Sequence, residues 1–149
     1  MSIQQSHLEQ NQVLTSDELL AHWQGHRNLT RKLIEVFPED HFFKYSIGGM
    51  RTFAEMTTEL LAIAGPGLKE IVTGQTQELQ EHIDHQNKKD LLLKLWDETT
   101  VAINMYFPQI ALDSFSKTIK TFGQYEGTVI SSILYFIDNE IHHLSLIHI

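Results

Sequence analysis

The chain reads as an all-α protein, a single four-helix bundle. Three observations predict this. Four segments place apolar residues three or four positions apart, the repeat of a helix buried along one face. Two of those segments open with Thr-x-x-Glu, and three end at a proline or glycine. No stretch alternates apolar and polar residues as a half-buried strand would. With 149 residues, 42% of them hydrophobic, the chain suffices for one domain with a sizeable core.

The first helix starts at Thr15, with Glu18 completing a capping box. Leu19, Leu20, Trp23, Thr30, Leu33, Ile34 and Phe37 follow, and Pro38 stops it. Residues 39–51 are a loop containing Gly48-Gly49. The second helix starts at Thr52, capped with Glu55, and carries Phe53, Met56, Leu60, Ile63, Ala64, Leu68 and Ile71. Gly65-Pro66-Gly67 predicts a kink or break within it, and Gly74 its end. Residues 75–89 are a polar connection. The third helix spans about residues 88–107, with Leu91, Leu92, Leu95, Trp96, Ala102, Ile103 and Phe107 on one side and Pro108 after it. Residues 109–127 form a long connection with a short turn near residues 114–120. Gly123 and Gly127 bracket the entry to the last helix, which runs from Thr128 to the end.

Composition removes several classes of function. There are no cysteines, hence no disulfide, thiolate nucleophile or Cys-ligated metal. Nineteen acidic residues against 11 scattered basic ones give a net charge of -8, the wrong sign for a nucleic-acid surface. No apolar run is long enough to cross a membrane, and residues 1–14 read as a polar leader rather than a secretory signal. A cytoplasmic protein is the expectation. No serine sits in a Gly-x-Ser-x-Gly turn, and no glycine loop is built for phosphate. Catalysis would therefore be metal-assisted, and nine histidines make a metal worth seeking.

The most informative segment is Asp138-Asn139-Glu140-Ile141-His142-His143. On a helical wheel Val129, Ile133, Ile137, Ile141 and Leu144 form the apolar face. Glu140 falls inside that face, His143 at its edge and Asn139 just beyond, while Asp138 and His142 point away. A carboxylate on a buried face needs a cation or strong donors. The plainer alternative is a solvated helix end whose histidines favour the helix dipole. Glu140 and His143 make one Glu-x-x-His pair, but the second pair of a di-iron bundle is missing. His22 and His26 lie four apart on the first helix, flanking its apolar face, and His82 and His85 lie in the polar connection. Glu59 borders the stripe of the second helix beside Met56 and Ile63, facing a possible pocket, whereas Glu55 is exposed.

Phe53-Ala54-Glu55-Met56-Thr57-Thr58-Glu59-Leu60, together with residues 138–143, resembles the DinB-like family, also called the DinB/YfiT-like metalloenzymes. The resemblance covers about residues 16–143 and includes Phe122-Gly123 and Gly127-Thr128. It implies a four-helix bundle with a long crossover connection, a homodimer, and a divalent metal (zinc, nickel, manganese or iron) held by three histidines. It also implies a thiol S-transferase or isomerase, acting in detoxification or stress response, with a small-molecule thiol such as bacillithiol, mycothiol or glutathione and an electrophilic substrate. Carried over by position, the metal residues are Glu59, Asn139 and His143, of which only His143 keeps the family's histidine. Glu140 would act as general base or orient a ligand. Two alternatives use the same bundle: a binding or stress protein that has lost its metal, and a metal-dependent hydrolase that activates water. Where family members continue with Arg-Gly-Gln, this chain reads Leu144-Ser145-Leu146-Ile147-His148-Ile149, an atypical end expected of a truncated sequence.

Overall fold

The structure is a computed structural model, described here for residues 12–147. Most of the leader and the last two residues lie outside that range. Four long helices dominate: α1 (Ser16–Val36), α3 (Phe53–Thr73), α4 (Lys89–Tyr106) and α5 (Val129–Ser145). A short α2 (Glu39–Lys44) and a hairpin of β1 (Thr118–Thr121) and β2 (Tyr125–Thr128) lie in the connections.

Around the bundle the order is α1, α4, α3, α5, each long helix packing on its two neighbours. Helices α1 and α3, although consecutive among the long helices, therefore sit diagonally, as do α4 and α5. The two connections that join them cross the ends of the bundle. The connection between α3 and α4 instead runs its length: these helices lie parallel, with Phe53 and Leu60 clustered with Leu92 and Trp96, and Lys89 at the start of α4 donates to the Glu35 and Phe37 carbonyls at the end of α1. It is the long crossover connection expected.

The caps form largely as the sequence predicts. Thr52 and Glu55 close a full capping box, with bonds of 3.2 and 2.8 Å. Thr15 accepts from the Glu18 amide at 3.1 Å, but the reciprocal half is not made, so this start is a simple N-cap. Gly74 ends α3 in the left-handed conformation at φ 72°.

Gly65-Pro66-Gly67 does not break α3, which continues to Thr73. Its glycines serve packing instead. A Cβ on Gly67 would lie 2.5 Å from Phe136 Cζ, so α3 and α5 approach closely only because position 67 has no side chain.

Two elements were not expected. Helix α2 seats Phe42, fully buried, with ring centroids 5.0 Å from Phe53 and 6.4 Å from Phe37. In the hairpin, Thr118 pairs with Thr128 and Thr121 with Tyr125. Phe122 (φ 54°) and Gly123 (φ 68°) turn the chain, both left-handed. Glu70 of α3 anchors that turn: its carboxylate accepts the Phe122 amide at 3.0 Å and the Gln77 amide at 2.8 Å.

The core has two apolar clusters. One gathers Trp23, Leu68, Ile103, Ile133 and Phe136; the other gathers Ile34, Phe42, Phe53, Leu92 and Trp96. A buried ion pair links them. Arg27 donates to Glu140 at 2.6 Å, lies 4.1 Å over the Trp96 ring, and bonds the Trp96 carbonyl.

Candidate functional site

One end of the bundle brings together three side chains from different elements. Helix α3 supplies Glu59, α5 supplies His143, and the loop before α3 supplies Arg51. His143 is nearly buried, and its Nδ1 lies 2.7 Å from the Asn139 carbonyl, one turn earlier on α5. A carbonyl can only accept, so Nδ1 carries a proton and Nε2 is the nitrogen aimed into the site. Fixing one ring nitrogen so that the other is presented is how metal-ligating histidines are held.

His143 Nε2 stands 2.7 Å from Glu59 Oε2. With the imidazole neutral, that buried oxygen has no donor, and a proton or cation between the two atoms is required to satisfy it. Arg51 brings a cation beside the pair without donating to that oxygen. Its Nη1 donates to Glu59 Oε1 at 3.2 Å, and its Nη2 lies 3.0 Å from His143 Nε2.

Asn139 is half-buried on the same face of α5, one turn before His143, and its Nδ2 is likewise buried without a partner. Turned about its terminal bond, the amide presents Oδ1 at that place instead. Glu59, Asn139 and His143 thus carry two orphaned buried atoms and one pinned imidazole. Among the described residues no group of three or more His, Cys, Asp and Glu side chains is placed to hold a metal. Of Glu59, Asn139 and His143, only Glu59 and His143 are brought within bonding distance of each other, a carboxylate and an imidazole of the kind that would hold a divalent ion.

Glu140 is set differently from a general base. It is 2% exposed, and its carboxylate accepts from Arg27 at 2.6 Å and from Trp23 Nε1 at 3.2 Å, sharing no partner with His143. Burial pushes its carboxyl above the ordinary range, opposed by the Arg27 charge and the two donors. Burial also lowers the Arg27 guanidinium, which the carboxylate opposes. The polar stretch 138–143 is therefore not simply a solvated helix end: Glu140 and His143 are buried while Asp138 and His142 are exposed.

Arg27 was missed by sequence reasoning, yet its signal is plain. It falls between Trp23 and Thr30 at helical spacing, on the apolar stripe of α1. An arginine on one buried face and a glutamate on another are natural partners. Arg51 gave no such signal, because it lies in a loop with no periodicity.

Glu59 also lines a cavity of about 480 Å³ between α3, α5 and the hairpin. Ile63, Leu79 and Phe136 make it apolar, Tyr125 and Tyr135 are aromatic, and Glu81 and Glu126 join Glu59 as acidic lining. Partial burial raises the Tyr135 hydroxyl, reinforced by Glu59, Tyr125 and Glu81.

Among the described residues the other histidines do not gather into a metal-holding group. His22 and His26 stack edge to face at 4.8 Å, and His85 packs against Phe43 while its Nδ1 accepts the Asn87 amide.

Among the described residues no helix is long and apolar enough to cross a membrane. No curated protein matches the chain significantly. Solved structures do. A mycothiol-dependent maleylpyruvate isomerase superposes with a TM-score of 0.66 at 13% identity, over 89% of this chain. A histidine-to-alanine mutant of a mycothiol-dependent maleylpyruvate isomerase gives a TM-score of 0.67 at 14% identity, over 91%. This chain spans only 61% and 62% of those two chains, and the likeness is one of fold. The sequence signature of the DinB family matches residues 7–146, and the chain belongs to the DinB family.

Proposed function

We propose that this protein is a thiol-dependent transferase or isomerase. Its reacting centre is the Glu59–His143 end of the cavity, and Glu59, His143 and Asn139 hold a divalent ion there. The observation that carries the proposal is the convergence of His143 Nε2 and the partnerless Glu59 Oε2, 2.7 Å apart, at the edge of a 480 Å³ cavity. The thiol-dependent chemistry named for the solved structures of like fold supports the choice of reaction class. A divalent ion at such a site lowers the pKa of a bound thiol, so that thiolate forms near neutral pH.

The chain's own residues do the rest. The Asn139 carbonyl holds the His143 ring in the presenting tautomer. The apolar wall of Ile63, Leu79 and Phe136 takes the body of the electrophile. Glu81 and Glu126 disfavour a highly anionic one. Glu140 is a positioning residue: its bond to Arg27 fixes α5 against α1 and α4, and so fixes where His143 stands. A cytoplasmic homodimer acting in detoxification completes the proposal. Light scattering that returns about twice the 17.2 kDa chain mass checks the dimer.

The test is transfer of glutathione or bacillithiol to a chromogenic electrophile, with zinc or manganese supplied. Wild-type turnover that falls at least tenfold in Glu59→Ala and in His143→Ala supports the reading; equal rates in all three contradict it. A second reading, a non-catalytic binding bundle, is favoured by one observation: only two strong ligands remain, beside an arginine. It predicts ligand binding in the cavity without turnover.

A further inference from the structure

We infer that Arg51 and a divalent metal are alternative occupants of one position, so that Arg51 sets how tightly this chain takes up its ion. The inference rests on the reading that Glu59 and His143 are the metal ligands.

The geometry leaves little room for both. Metal ligands of these types lie roughly 2.0–2.2 Å from a divalent ion. Glu59 Oε2 and His143 Nε2 already converge to 2.7 Å. The two terminal nitrogens of Arg51 contact the same two side chains, one 3.2 Å from Glu59 Oε1 and the other 3.0 Å from the His143 Nε2 that a metal would need. An ion bound by both ligands would face the guanidinium at close range.

The chemistry agrees. A guanidinium has five donors and no lone pair to offer, and it keeps its charge at any working pH. It cannot join the ligand set. It can only satisfy the donor set as a cation, or repel the ion that would. The lone pair on Nε2 cannot accept from Arg51 and ligate a metal at once.

Arg51 is also able to leave. Its side chain is 49% exposed, against 18% for Glu59 and 9% for His143. The preceding Gly48 and Gly49 are left-handed, at φ 57° and 79°, with open space around both. The ligands are fixed on helices, whereas the competitor hangs from a glycine loop.

The experiment is titration calorimetry of the full chain, stripped of metal, with zinc chloride and manganese chloride. Wild type, Arg51→Met and Arg51→Lys are compared, with thermal melts confirming that each folds. Removing the charge in Arg51→Met should tighten binding of at least one ion tenfold or more. Arg51→Lys, which keeps a cation there, should stay within a few-fold of wild type. Adding Glu59→Ala to Arg51→Met should abolish the gain. Equal, measurable affinity in wild type and Arg51→Met would overturn the inference while leaving the metal reading standing. No binding in any folded variant would overturn both.

Discussion

Arg27 and Glu140 show how a single buried pair is stabilised, and how costly it is to break. Neither has solvent to fall back on, so each depends on the other and on Trp23 and Trp96. Removing one partner strands a buried charge, at a cost of about 3–5 kcal/mol. Arg27→Met or Glu140→Leu alone should lose about that much in urea unfolding. The double variant should lose far less, because an apolar pair of similar volume replaces an ion pair that was expensive to bury. The pH dependence follows from the same pair. Burial raises the Glu140 carboxyl in the folded state above its unfolded value. Its contribution to stability is therefore fully present below the unfolded pKa and is lost as pH rises through the raised one. The double variant, lacking that group, should lose less stability than wild type over that rise, as measured by urea midpoints at a series of pH values.

At the scale of elements, two contacts decide where the site stands. Gly67 lets α3 lie against Phe136 of α5, and so brings Glu59 and His143 to one place. Gly67→Ala forces a methyl into the ring and should cost about 1–3 kcal/mol, read as a lowered melting temperature. Trimming the ring with Phe136→Leu should recover part of that loss. The hairpin that walls the cavity depends on Glu70, whose carboxylate is the acceptor for two backbone amides. Glu70→Ala leaves those donors unmet, at about 1–3 kcal/mol. Amide exchange should accelerate across residues 118–128 first.

The four long helices were legible because their apolar spacing and caps are local signals. The hairpin was not. Thr118, Ile119, Lys120 and Thr121 are too few to show alternation, and their anchor, Glu70, is 52 residues from Phe122 in sequence. Gly65-Pro66-Gly67 misled for a related reason: those residues suit a neighbouring helix, and nothing local records that neighbour. Short α2 was hidden likewise, since Phe42 acquires its meaning only between Phe37 and Phe53.

At the scale of the whole molecule, antiparallel packing of the neighbours α3 and α5 brings the start of one and the end of the other together at one end of the bundle. That placement makes a site from Arg51, Glu59 and His143, which no short motif contains. Glu59 and His143 were legible by family resemblance, and Glu140 by its anomaly on an apolar face. The setting of Glu140 was not, because its partners lie 113 and 117 residues away. The most direct test of the central claim is the metal content of the folded chain by plasma mass spectrometry. Wild type and the Glu59→Ala/His143→Ala double variant would each be equilibrated against the same excess of zinc, nickel, manganese and iron in turn. One ion per wild-type chain, lost in the double variant, is the predicted result. Equal content in the two proteins, or none in either, would contradict it.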